Sequence, residues 1–65
     1  MKVENLIQAK EIAIKFLEQY HSSITLRSAT LEGDVWIVIL DVGMMNKQIR
    51  RILIDRLTGN ILNQS

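Results

Sequence analysis

The chain has no cysteine and no proline, and only three glycines among its 65 residues. Without cysteine there is neither a disulfide nor a thiolate metal site to staple a fold this small. Aromatics are scarce as well: Phe16, Tyr20 and Trp36 make up 5% of the chain, which leaves little for base stacking. His21 is the one histidine, so a transition-metal site within a single chain lacks ligands. Neither sign of charge dominates, because the formal net charge is +1 and both signs are spread through both halves. No polybasic arm exists to drive nucleic-acid binding by counterion release. Glu4, Lys10 and Glu11 interrupt what would have to be the apolar core of a secretory signal, and no run of about 20 apolar residues could span a bilayer. These absences exclude a zinc module built on cysteines and a disulfide scaffold, and a length of 65 residues is enough for one domain and too short for a multidomain enzyme. They lead to the expectation of a soluble, cytoplasmic, single domain over residues 1–65 with no cofactor.

What is present is aliphatic. The chain is 48% hydrophobic, yet a domain of this length buries only about 60% of the surface its unfolded form exposes. From Val3 to Tyr20 the apolar residues recur at helical spacing, with Glu4, Gln8, Glu11, Lys15, Glu18 and Gln19 on the remaining arc. Asn5 followed by Gln8 is a variant of the N-capping box, although a start at Val3 also fits. The apolar arc spans roughly 220°, more than one sheet surface needs, so part of it is expected to face a second surface.

Beyond Ser22-Ser23 the period changes. Residues 24–32, 34–42 and 48–56 are rich in β-branched and aliphatic residues and read as strands. Gly33-Asp34 joins the first two as a tight hairpin, and residues 43–46 form a longer connection. After the turn at Leu57-Thr58-Gly59-Asn60, Ile61-Leu62 supplies a fourth, edge strand. The fold class is α+β, one N-terminal helix packed on a three- to four-stranded antiparallel sheet in α-β-β-β-β order.

Register then assigns faces. A two-residue turn at Gly33-Asp34 pairs Leu31 with Trp36, Ala29 with Val38 and Arg27 with Leu40; a four-residue loop at 43–46 pairs Leu40 with Ile49 and Trp36 with Leu53. The face beneath the helix then carries Ala29, Leu31, Trp36, Val38, Leu40, Val42, Ile49 and Leu53. The opposite face carries Val35, Ile37, Ile39, Ile52 and Ile54, which in a monomer would meet water. A slip of one residue in either hairpin exchanges faces, but the central strand is apolar on both sides whichever register holds. This predicts self-association through Val35, Ile37, Ile39, Ile52 and Ile54, as a homodimer with sheets face to face or, if the helix arc also pairs, a homotetramer.

The search for chemistry is short. His21 sits where an imidazole meets a helix C-terminus and has no partner fixed by spacing. Asp34, Asp41 and Asp55 each fall at a strand end or turn, where carboxylates bond local backbone, and Asp41 with Asp55 is a poor general acid/base pair without a pocket. Arg50 and Arg51 point to opposite faces of a strand and cannot act as one clamp. Lys47, Arg50 and Arg56 define the alternative reading, a nucleic-acid-associated accessory protein using a β-ribbon. Met44 and Met45 are read first as packing over the end of the core, and otherwise, with Arg50, as adaptable partner contacts.

The stretch from Asp34 through Ile54 into Asp55-Arg56-Leu57-Thr58-Gly59-Asn60-Ile61-Leu62 resembles the small PepSY domain. The matching positions are Asp55, Thr58, Gly59, Ile61 and Leu62, with Ala9, Ala13 and Leu17 of the helix agreeing in kind. The resemblance covers roughly residues 6–62 and implies the same helix-then-sheet architecture. Members of that family are mostly secreted or membrane-associated and are thought to bind or restrain peptidases. Together these readings point to a non-enzymatic protein-binding or regulatory module that self-associates.

Overall fold

The structure, a computed structural model, describes residues 2–65. Helix α1 (Leu6–Leu17) is followed by β1 (Thr25–Glu32), β2 (Val35–Asp41), β3 (Ile49–Asp55) and β4 (Ile61–Gln64), and the strands form one antiparallel sheet in sequence order. The α+β class and the α-β-β-β-β order are therefore as the periodicity predicts.

The helix is shorter than its apolar pattern at both ends, for local reasons. Asn5 is extended (φ −146°, ψ 169°) and its side-chain oxygen accepts the Gln8 amide at 3.0 Å, so the helix starts after it. Gln8 reaches back to accept the Glu4 amide at 2.6 Å, which completes the box one residue earlier than the usual pattern. Val3 lies outside the helix and is tied to the sheet by its backbone. Its amide donates to the Arg56 carbonyl at 2.7 Å, its carbonyl accepts the Trp36 indole N–H at 2.8 Å, and its side chain is fully buried. At the other end the Tyr20 and His21 amides both donate to the Leu17 carbonyl, closing the helix before Tyr20.

The core lies between Val3, Ala9, Ala13 and Leu17 on one side and Trp36, Val38, Leu40, Val42, Ile52 and Ile54 on the other. Two alanines on the helix seam bring its backbone close to the sheet, and the larger Leu40, Ile52 and Ile54 fill the layer opposite. Each of those aliphatics contributes roughly 1.5–3 kcal/mol by leaving water. Ile12, Ile14 and Phe16 pack partly against this core, so most of the wide helix arc is taken up at the flanks; Leu6, Ile7 and Tyr20 remain exposed.

Two registers differ from the sequence expectation. The β1–β2 pairing runs as expected through Leu31–Trp36 and Ala29–Val38, but a bulge at Arg27 places Leu26 rather than Arg27 opposite Leu40. That exchange keeps a guanidinium out of the core, since Arg27 is exposed and Leu26 packs inward. In the β2–β3 hairpin, Val42 donates to the Gln48 carbonyl, so residues 43–47 form the loop, one residue more than expected. Trp36 consequently pairs with Ile54 and Val38 with Ile52.

Candidate interaction face

That single added residue decides which side chains lie on the outer face of the sheet. Alternation along the strands puts Trp36, Val38, Leu40, Ile52 and Ile54 beneath the helix, and Val35, Ile37 and Ile39 of β2 with Leu53 of β3 on the outer face. Ile52 and Ile54, expected at the self-association surface, are instead fully buried core residues; Leu53 and Ile49, expected beneath the helix, face outward. The correction follows from the loop length, because a shift of one residue turns every side chain of β3 over. Val35, Ile37 and Ile39 lie where the sequence places them, and all are only half-buried.

The outer face is an aliphatic stripe between polar borders. On β1, Ser28 stands beside Ile39, Thr30 beside Ile37 and Glu32 beside Val35. On β4, Asn63 stands beside Leu53. Along β3 the stripe reads Arg51, Leu53, Asp55, opposite Ile39, Ile37 and Val35. Asp55 Oδ1 accepts the Leu57 amide at 2.8 Å, which steadies the carboxylate at the rim. Asp34 with Arg56 is the sole ion pair among the described residues, so the exposed Arg51 guanidinium makes none there, although the Arg51 backbone is bonded in both directions to Ser65.

The cations assigned to a nucleic-acid ribbon are not brought together. Lys47 lies in the loop before β3 and Arg56 follows the strand's other end, where its Nε and Nη2 donate to Asp34 Oδ1 at 3.0 and 2.8 Å. Arg50 pairs with Leu40 on the helix side of the sheet, is half-buried, and donates through Nη1 to the Ile49 carbonyl. Met44 and Met45 do not pack over the core: they are 79% and 97% exposed, and the Met44 sulfur meets only the Ser22 hydroxyl at 4.0 Å.

The loop that carries these methionines is closed by Asp41. Its Oδ1 accepts the Gln48 amide at 3.0 Å and the Gly43 amide at 2.9 Å. Those backbone donors, with the positive charge of Arg27 and Lys47 nearby, hold the carboxyl below the usual carboxylate range, while partial burial acts the other way without cancelling them. Gly43 is required here by space rather than by a positive φ, because a Cβ at that position would overlap the Asn46 carbonyl oxygen. Asp41 and Asp55 stand at opposite ends of the outer face and do not form a carboxylate pair.

A shallow hollow of about 590 Å³ lies by the Gly33–Asp34 turn, bounded by Lys2, Glu4, Leu31 and Arg56. Its polar lining includes the Asp34–Arg56 pair, whose charges are already matched. Among the described residues no three His, Cys, Asp or Glu side chains converge on a metal position, and no helix is long and apolar enough to cross a membrane. Compared with protein-family models, curated proteins and solved structures, the chain matches none.

Proposed function

We propose that this chain is a non-enzymatic protein-binding module that works as a homodimer, with the outer faces of two sheets packed together. The observation that carries the reading is the half-exposed aliphatic stripe of Val35, Ile37, Ile39 and Leu53 on the central strands. An apolar patch rimmed by Ser28, Thr30 and Asn63 has the anatomy of a protein interface, an apolar centre within a polar border. Removing it from water yields on the order of 25 cal/mol per Å², which association costs then offset in part. With strands about 4.8 Å apart and rising about 3.3 Å per residue, the face measures about 19 by 23 Å, the low end of interface sizes, so the dimer is reversible. The resemblance to PepSY, a family thought to bind or restrain peptidases, adds support of a different kind, and in that stretch Asp55 to Asn60 forms the turn leading into β4.

Paired substitutions separate the outer face from the core. Ile37→Asp places a charge on the stripe and is expected to give a folded monomer, by sedimentation and far-ultraviolet circular dichroism. Ile52→Asp places the same charge in the core, where the wild-type residue is fully buried, and is expected to unfold the chain. If Ile37→Asp leaves the wild-type mass unchanged, the outer face is not the interface.

A further inference from the structure

The outer face also carries information about how the second copy is turned. Resting on the reading that this face self-associates, we infer that the two copies pack with their strands antiparallel. The two-fold axis runs across the strands, between the sheets, at the level of Ile37 and Leu53. The neighbouring levels of the sheet pair Val35 with Asp55 on one side and Ile39 with Arg51 on the other. Each lies two residues, or about 6.6 Å, from the Ile37–Leu53 level. The pattern Arg51-Leu53-Asp55 is therefore charge-antisymmetric about Leu53.

A two-fold axis across the strands keeps each strand over its own copy and reverses its direction. Leu53 then meets the partner's Leu53, Ile37 meets the partner's Ile37, and Val35 meets the partner's Ile39. Arg51 lies over the partner's Asp55, and by symmetry the pair occurs twice. The Arg51 guanidinium, in no ion pair among the described residues of one copy, thus gains a carboxylate, and the apolar residues stay against apolar residues. An axis running along the strands between β2 and β3 gives the opposite result. Arg51 would lie over the partner's Ile39 and Asp55 over its Val35, so each charge would be dehydrated against an aliphatic side chain with no counter-charge. Charge complementarity therefore selects one of the two ways in which the same face can pair with itself.

The test uses charge reversal and mixing. Arg51→Glu sets two acidic pairs against each other in the dimer, and Asp55→Arg sets two basic pairs; each is expected to weaken self-association about 100-fold. Mixed together, the two variants restore both Arg–carboxylate contacts, so a heterodimer of near wild-type affinity is expected from two chains that are each monomeric alone. A wild-type dimer whose two variants fail to pair with each other overturns the antiparallel arrangement. A wild-type chain that is monomeric overturns the underlying reading instead. Because Asp55→Arg also removes the acceptor of the Leu57 amide, a second measurement is independent of it. The chain has no cysteine, so Lys47→Cys, in the exposed loop, takes a single spin label. From strand rise and sheet spacing, the label-to-label distance in the dimer is expected to be about 40 Å for antiparallel strands, whereas about 15 Å would contradict the assignment.

Discussion

At the scale of single residues, Trp36 and Asp41 do more for this fold than their burial alone indicates. The Trp36 indole N–H satisfies the carbonyl of the fully buried Val3, whose amide in turn is bonded to Arg56. Trp36→Phe keeps most of the apolar volume but orphans that carbonyl, a loss of about 1–3 kcal/mol. For a domain of this size that corresponds to a melting midpoint lower by roughly 7–22 °C, and an unchanged midpoint would contradict the assigned role. Asp41 makes stability depend on acidity. Its carboxyl titrates lower in the folded chain than its ordinary value of 3.8, so its contribution is complete above that value and disappears as pH falls through the lower, folded one. In an acid titration followed by NMR, the Gly43 and Gln48 amide signals are expected to move together with a midpoint below 3.8, and Asp41→Asn abolishes that step. A shared midpoint at or above 3.8 would contradict the loop closure described here.

At the scale of elements, the period of the apolar residues was readable and the connections were not. The nearly continuous β-branched and aromatic run in residues 34–42 and helical spacing around Ala9, Ala13 and Leu17 locate β2 and the buried seam of α1 directly. The Gly33-Asp34 hairpin was equally legible, because its φ of +60° at Gly33 suits a two-residue turn and sets Leu31 opposite Trp36. The helix ends were obscured because Val3 and Tyr20 are apolar for reasons other than helix packing: Val3 is a core residue ahead of the helix, and Tyr20 stacks edge-on with Phe16. The loop between β2 and β3 was misjudged by one residue because its closure depends on a side chain, Asp41, capturing two amides across it. Nothing in the period of β3 signals this, since Ile49, Leu53, Ile52 and Ile54 make both of its faces aliphatic. The pattern Arg51-Leu53-Asp55 was present in the sequence, but it becomes one face only once the register is known.

At the scale of the whole molecule, the surplus of apolar residues has two destinations. One share forms a thin core in which a helix with two alanines on its seam sits close to the sheet; the other remains on the outer face of β2 and β3. The charges follow the same division. Asp34 and Arg56 neutralise each other at one end of the sheet, while Arg51, in no ion pair among the described residues, stands beside the aliphatic stripe. In the proposed dimer, covering that stripe with a second copy would add stability to a chain that has no disulfide to supplement so small a core. The most direct test is the molar mass of the unmodified chain, measured by sedimentation equilibrium from sub-micromolar to high micromolar concentration. The account predicts a mass that rises from that of one chain to that of two as concentration increases. A mass that stays at one chain throughout would contradict it.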